Sequence, residues 1–210
     1  EYGVLSVSFS PKGDMVAAGC SNGKMYFVDP TAGEIKSSLK VDAGTHGVRS
    51  VSFSPKGDMV AAGCWNGKIH FMDAAAGQIK SSVKVDSDVW SVAYSPDGTK
   101  LTAGLGYPSY SVVVFDTQTN EQICSLKVDA GQFGVLSVSF SPKGDMVAAG
   151  CDNGNIFFVD AAAGEIKSSL RGHTGFVWSV CFSSDGKQLT SGSQDKTVRN
   201  WDLATRASLS

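Results

Sequence analysis

The sequence lacks the features that mark several large functional classes. It has no apolar run close to the roughly 18 residues that a membrane-spanning helix needs, and it has no Asn-x-Ser/Thr sequon. Its formal net charge is only -2, so electrostatics do not favour binding to nucleic acid or to an anionic membrane. We therefore expect neither a nucleic acid nor a membrane as a partner.

Catalytic signatures are also missing. No Gly-x-Ser-x-Gly, His-Glu-x-x-His, P-loop or dinucleotide-binding pattern occurs. The three histidines, His46, His70 and His173, do not cluster by spacing, and Gly104-Leu-Gly106 is too short for a phosphate-binding loop. The sequence therefore predicts no enzymatic activity, no cofactor and no metal site.

The five cysteines form no recognisable framework. No two of them make a Cys-x-x-Cys pair, the usual spacing for zinc. Cys20, Cys64 and Cys151 each follow the same Val-Ala-Ala-Gly stretch, and equivalent positions of a repeat are poor candidates for a disulfide. We expect free, buried thiols, which favour a reducing, cytoplasmic location.

Repetition is what the sequence does contain. The eighteen residues from Gly3 to Cys20 return unchanged from Gly134 to Cys151, and a near copy runs from Gly47 to Cys64. A Phe-Ser anchor or its equivalent recurs every 41 to 46 residues, at Phe9, Phe53, Tyr94, Phe140 and Phe182. A period of this length indicates a propeller or a solenoid. The repeats are approximately 1–42, 43–86, 87–129, 130–171 and 172–210, and together they predict a single domain or segment over 1–210.

The pattern inside each repeat favours strands over helices. Four short runs, VLSVSFS, MVAAGC, KMYFVD and EIKSSLKV in the first repeat, are separated by the turn sequences Pro-Lys-Gly-Asp, Ser-Asn-Gly-Lys and Pro-Thr-Ala-Gly. Such runs are typical of antiparallel strands joined by tight turns. The sequence therefore predicts an all-β fold of five four-stranded sheets.

The last repeat shows a family resemblance. Gly172-His173 and Trp201-Asp202 bracket Ser191-Gly192-Ser193 and Asp195, and this order resembles a WD40 repeat almost position for position. The resemblance implies a β-propeller, usually of seven blades, that serves as a rigid interaction platform without catalysis of its own. It also implies a structural hydrogen-bonded tetrad of His173, Asp195, Trp201 and a serine, Ser191 or Ser193.

The other four repeats depart from the WD40 pattern. The position of Trp201 is occupied by apolar residues, namely Val28, Met72, Phe115 and Val159, and that of Asp195 by Asn22, Asn66 and Asn153 in three repeats. We expect apolar packing to replace the tetrad in these repeats.

Candidate partner-binding residues lie where near-identical repeats differ. In propellers of this family, one face carries the loops before the first strand and between the second and third strands. The variable positions on that face supply aromatic residues and one arginine, which are typical of interface hot spots: Tyr2, Leu5, His46, Arg49, Trp65, Trp90, Tyr107, Tyr110, Phe133, Leu136, Phe176 and Trp178. Trp90 and Trp178 have an alternative role in packing, whereas Trp65, whose copies are Ser21 and Asp152, is expected to be exposed.

The sequence thus predicts a non-catalytic scaffold that binds a peptide or protein partner on its loop-bearing face. A ligand-sensing domain of a larger switch ATPase or kinase, and an architectural part of a cytoskeletal or ciliary assembly, are the alternatives. Both ends fall near the same point of the repeat, so a segment of a longer propeller is expected, with a complete five-bladed ring as the alternative. Its partners then include further blades of the same chain or other copies of it.

Overall fold

The computed structural model describes residues 2–205 and 207–208. Every regular element in these residues is a β-strand, which confirms the all-β fold class. None of the described residues forms a helix long and apolar enough to cross a membrane. Five antiparallel sheets follow one another along the chain, and within each sheet the strands pair in chain order. Each sheet is a meander of the type that forms a propeller blade.

The chain divides into two compact units, and the first is Glu1–Tyr94. It contains the sheets β1–β4 and β5–β8, followed by strand β9. Its strands are β1 (Val4–Phe9), β2 (Val16–Cys20), β3 (Lys24–Asp29), β4 (Glu34–Lys40), β5 (Val48–Phe53), β6 (Met59–Cys64), β7 (Lys68–Asp73), β8 (Gln78–Lys84) and β9 (Val89–Tyr94). Its core includes Phe27, Val48, Val60 and Met72.

The second unit is Ser95–Ser210. Its strands are β10 (Lys100–Leu105), β11 (Ser111–Asp116), β12 (Gln122–Lys127), β13 (Val135–Phe140), β14 (Met146–Cys151), β15 (Ile156–Asp160), β16 (Ile166–Leu170), β17 (Val177–Phe182), β18 (Gln188–Ser193) and β19 (Val198–Asp202). The fifth sheet has three strands within the described residues. Where the repeat pattern predicts a fourth, Ser208 forms an isolated bridge with Trp201.

A recurrent aspartate closes the third strand of every repeat. Its Oδ1 accepts hydrogen bonds from the backbone N–H groups two and three residues further on, an Asx turn that stops the strand. This arrangement occurs at Asp29, Asp73, Asp116, Asp160 and Asp202. The same N–H bonds hold the pKa of all five carboxyls below the usual range.

The small second strand is explained by the neighbouring repeat. In the first unit, a Cβ placed on Gly19 would lie 2.6 Å from Cγ1 of Val48, and one on Gly63 would lie 2.7 Å from Cγ1 of Val89. In the second unit, Gly150 makes the same approach to Val177 at 2.7 Å. Glycine is therefore required because the first strand of the next repeat packs directly on it.

Serines of the innermost strands link successive repeats. The hydroxyl oxygens of Ser6 and Ser50 accept hydrogen bonds from the N–H groups of Val51 and Val92, at 3.1 and 3.0 Å. In the second unit, the hydroxyl of Ser137 accepts from the N–H of Val180 at 3.1 Å. The alternating serines of the VLSVSF sequence thus satisfy backbone donors that a sheet edge would leave unpaired.

Candidate functional site

The variable residue of the V-x-S-V sequence lies in a β-bulge. The pairing register shifts between Val4 and Ser6, and between the equivalent residues of the second, fourth and fifth repeats. The residues in these gaps are Leu5, Arg49, Leu136 and Trp178. A bulge residue has no partner in the ladder and can be re-aimed without breaking the sheet, which explains why this position varies between otherwise similar copies.

Four predicted site residues of the first unit meet in one group, the Arg49 cluster, which consists of His46, Arg49, Trp65 and Trp90. Cζ of Arg49 lies 4.6 Å from the ring centroid of Trp65 and 4.4 Å from that of Trp90. The two indoles meet edge to face at 5.5 Å, and His46 packs on Trp65 at 4.7 Å. A guanidinium in contact with two indoles is held by cation–π attraction on both sides.

Burial and an acidic neighbour set the electrostatics of the Arg49 cluster. Half-burial lowers the pKa of Arg49, and the charge of Asp88 opposes this shift. Burial likewise raises the pKa of Asp88, while its hydrogen bonds and the charge of Arg49 oppose that change. Arginine stays protonated at neutral pH, so the cluster presents a fixed cation. The comparison of repeats did not select Asp88. Its signal in the sequence is that three other repeats have glycine at this position.

The loop that carries His46 is fixed by its backbone. Gly47 has a φ of +73°, and a Cβ there would collide with the backbone of Cys20 and Ser21. The carbonyl oxygen of Gly47 accepts a hydrogen bond from the N–H of Trp65 at 3.1 Å. The second-strand loop and the entering loop are therefore held together, which places Trp65 against His46.

A small cavity adjoins the Arg49 cluster. It has a volume of about 290 Å³ and is lined by Tyr2, Leu5, Ser21, Thr45, His46 and Arg49. Tyr2 and Leu5 are both exposed. Four predicted site residues and two of their loop neighbours thus surround one concave surface of mixed aromatic and cationic character.

In the second unit, three other predicted residues form a row of aromatic rings. Phe133 and Phe176 have centroids 5.5 Å apart, and Phe176 and Trp178 lie 5.4 Å apart. Phe133 and Trp178 are both 48% exposed. The buried carboxylate of Asp152 fixes this loop, because its Oδ2 accepts from the N–H groups of Gln132 and Phe133 at 2.8 and 2.9 Å.

The two tyrosines of the third-repeat insertion pack on each other. Tyr107 is exposed and lies 5.9 Å from Tyr110, edge to face. Nζ of Lys127 lies 5.7 Å from the Tyr110 ring, and the N–H of Tyr110 donates to the carbonyl of Gly106 at 2.8 Å. The insertion is therefore a compact turn held by its own contacts.

Two residues differ from the expected exposure. Leu136 is only 5% exposed, so it is in no position to contact a partner. The structure places it in a strand whose residues Val135–Ser137 are all buried. Trp65 is half-buried rather than free, because His46, Arg49 and Trp90 surround its ring.

The fifth repeat contains a continuous chain of hydrogen bonds through the residues of the implied tetrad. Trp201 Nε1 donates to Ser191 Oγ at 2.8 Å, and His173 lies between Ser191 Oγ and Asp195 Oδ2, each at 2.8 Å. Because the Asp195 carboxylate only accepts, His173 Nδ1–H donates to it. In the neutral imidazole Nε2 then accepts from the Ser191 hydroxyl, whose oxygen accepts the indole N–H. Bonds from Thr197 and then His173 lower the pKa of Asp195. Ser191 is 1% exposed, so this serine has no access to an external substrate.

The second repeat replaces the tetrad differently from expectation. His70 is buried, its Nε2 lies 3.0 Å from the carbonyl oxygen of Asp42, and its Nδ1 lies 2.7 Å from Ser82 Oγ. The side chain of Asn66 also donates to Asp42, and Lys68 forms an ion pair with it at 2.6 Å. The expectation that apolar packing alone substitutes for the tetrad is thus wrong for this repeat, because a polar network joins its strands.

Antiparallel meanders with bulged first strands, one of them carrying a Trp-Ser-His-Asp chain, are blades of the type from which repeat propellers are built. The family profile described as "WD domain, G-beta repeat" matches residues 1–29, 120–160 and 164–202, and one described as "Anaphase-promoting complex subunit 4 WD40 domain" matches 40–97. The chain belongs to the WD40-repeat family.

Several curated proteins are similar to parts of the chain. Periodic tryptophan protein 2 homolog of Schizosaccharomyces pombe is 42% identical over 37% of this chain and 9% of its own length. WD repeat-containing protein SL1-17 of Schistosoma mansoni is 32% identical over 56% of this chain and 37% of its own. U3 small nucleolar RNA-associated protein 12 of Saccharomyces cerevisiae is 33% identical over 59% of this chain and 12% of its own. The chain thus spans well under half of each of these relatives.

Proposed function

We propose that the chain is a non-catalytic scaffold that binds a peptide or protein partner, and that the Arg49 cluster is a main point of contact. Membership of the WD40-repeat family and the similarity to a WD repeat-containing protein support an interaction role in general. The observation that carries the specific proposal is the contact of Arg49 with both Trp65 and Trp90.

The Arg49 cluster is suited to binding because it is already ordered. Tryptophan and arginine dominate interface hot spots, and rigid side chains lose little conformational entropy when a partner binds. A carboxylate or carbonyl oxygen brought to the guanidinium gains a charge-assisted hydrogen bond. The partner is therefore a segment that places an acceptor at Arg49 and an apolar side chain in the adjacent cavity.

A displayed random-peptide library selected on the intact chain supplies a defined probe. We expect the selected peptide to bind Arg49→Met at least about tenfold more weakly, which corresponds to about 1.4 kcal/mol, when measured by fluorescence anisotropy. Arg199→Met is the matched control, since Arg199 also lies over an indole, that of Trp201 at 5.8 Å. Equal loss in both variants, or none in Arg49→Met, contradicts the proposal.

The exposed aromatic row of Phe133, Phe176 and Trp178 is a second candidate surface. Its support is the exposure of Phe133, on the loop anchored by Asp152, and of Trp178, in the bulge of β17. Trp178→Ala weakens binding of a selected peptide only if the peptide uses this row. The same variant therefore assigns each peptide to one of the two surfaces.

We also propose a reducing, intracellular location. All five cysteines are free, and three of them are buried. A thiol titration of the unfolded chain, purified without reductant, is expected to count five free thiols, and a lower count contradicts the proposal.

A further inference from the structure

One face of the first sheet is exposed although its exact copy is buried. Val4, Val7 and Phe9 are 60%, 60% and 61% exposed. Their counterparts in the identical eighteen-residue segment, Val135, Val138 and Phe140, are 0%, 6% and 7% exposed. We call the first set the β1 face. Because the two segments have the same sequence, the difference arises only from what packs against them.

The buried copies show what the β1 face fits. A Cβ on Gly104 would lie 2.8 Å from Cγ1 of Val135 and 3.1 Å from Cγ1 of Val138. Gly150 meets Val177 and Val180 in the same way, at 2.7 and 3.1 Å. The complementary surface is thus the small second strand of another repeat, with glycine at its centre.

The fifth sheet presents such a surface without a partner among the described residues. A Cβ on Gly192 would meet nothing within 4 Å. Val198, opposite Gly192 in the sheet, is 66% exposed, whereas its counterparts Met25, Ile69, Val112 and Ile156 are fully buried. We call this surface, with Thr190, Gly192 and Val198, the Gly192 face. Ser179 is exposed beside it, at the position where Ser6, Ser50 and Ser137 accept a hydrogen bond from the next repeat.

We propose that the β1 face of one copy of this chain docks on the Gly192 face of a second copy. The contact repeats the packing found four times within the two units, with Val4 and Val7 on Gly192 and the N–H of Val7 donating to Ser179. Each chain carries one face of each kind, so the contact is heterologous and joins chains head to tail. Apolar surface of this extent, continuous along a strand, is a typical association surface.

Analytical ultracentrifugation of the intact chain tests the proposal. The wild-type chain is expected to form species of at least twice the 21.9 kDa chain mass as concentration increases. Val7→Asp and Gly192→Val are each expected to remain at one chain mass. Gly192→Val is compatible with folding, because the site has open space and no positive φ, yet it blocks docking. Ile35→Asp is the matched control, since Ile35 is equally exposed, at 61%, but lies on the outer strand β4.

A mixture of the two variants identifies which faces meet. Val7→Asp retains an intact Gly192 face and Gly192→Val retains an intact β1 face, so together they are expected to form a dimer that neither forms alone. A wild-type chain that stays at one chain mass at every concentration overturns the proposal. So does a mixture that fails to dimerise, or an Ile35→Asp variant that dissociates as fully as Val7→Asp.

Discussion

The replacement Ser191→Ala is expected to destabilise the fifth repeat more than the loss of one hydroxyl suggests. The Ser191 oxygen accepts from Trp201 and its hydrogen is donated to His173. Both partners are buried, at 3% and 7% exposure. Removing the hydroxyl therefore leaves a buried indole N–H without an acceptor and a buried imidazole nitrogen without a donor.

The magnitude follows from these two unpaired groups. Each costs about 1–3 kcal/mol, so the free energy of unfolding is expected to fall by about 2–6 kcal/mol in Ser191→Ala. Trp201→Phe removes only a donor and some volume, and costs about 1–3 kcal/mol. In the double variant no indole N–H is left unpaired, so the loss in free energy of unfolding is expected to be smaller than the sum of the two single losses by about 1–3 kcal/mol.

The other repeats support this direction. They combine an apolar residue in place of Trp201 with alanine at the position of Ser191: Ala18, Ala62, Ala103 and Ala149.

Urea unfolding followed by far-UV circular dichroism measures all four members of this cycle. The midpoints give the free energies, provided that the slopes stay equal. If the two single losses add to the double loss within about 0.5 kcal/mol, the hydroxyl does not bridge the two side chains. The hydrogen-bonded chain would then contribute as separate contacts, and the reasoning about unpaired groups would be refuted.

Three further predictions concern packing, pH and loop order. Gly150→Ala is expected to lower the free energy of unfolding by about 1–3 kcal/mol through overpacking. At concentrations where the chain is at one chain mass, Gly192→Ala, which then has open space, is expected to raise it by about 0.5–1 kcal/mol; urea midpoints that move together contradict this. The hydrogen bond from Ser95 lowers the pKa of Asp97 in the folded chain to about 2. Below about pH 4 the unfolded chain therefore binds more protons than the folded chain. The stabilisation from this carboxylate is present above about pH 4 and is lost as the pH decreases toward 2. A flat acid titration of thermal stability would refute this. Asp152→Asn removes the charge from the side-chain oxygen that accepts the N–H groups of Gln132 and Phe133 and sets an NH2 group opposite the N–H of Gly134. Amide exchange at residues 132 and 133 is therefore expected to accelerate about tenfold, or about 1.4 kcal/mol, in hydrogen-exchange mass spectrometry; unchanged exchange there counts against the anchoring role.

The blade architecture was predictable because its determinants are local. The turn aspartates act on N–H groups two and three residues away, and the strand alternation is set by neighbours along the chain. The contact of Gly19 with Val48 gives the physical cause of the small residues in the second strand.

The candidate positions could be selected from the sequence, but their arrangement could not. The comparison of copies selected His46, Arg49, Trp65 and Trp90, yet nothing in the sequence places a guanidinium against two indoles. Trp65 was expected to be exposed because its copies are small or polar. That argument considers one repeat at a time, whereas the ring is covered by residues from the entering loop and from the next blade.

The two leucines of the duplicated segment show why inspection of single repeats is insufficient here. Leu5 and Leu136 occupy the same bulge in identical eighteen-residue sequences, yet they are 41% and 5% exposed. Neither propensity nor hydrophobic pattern can distinguish them, because both are the same for the two copies. Their different exposure therefore comes from the surroundings, as it does for Val4 and Val135. In an array of near-identical blades, the surface available to a partner is decided by which repeats are adjacent, so a substitution in one blade changes the binding properties of its neighbour as well.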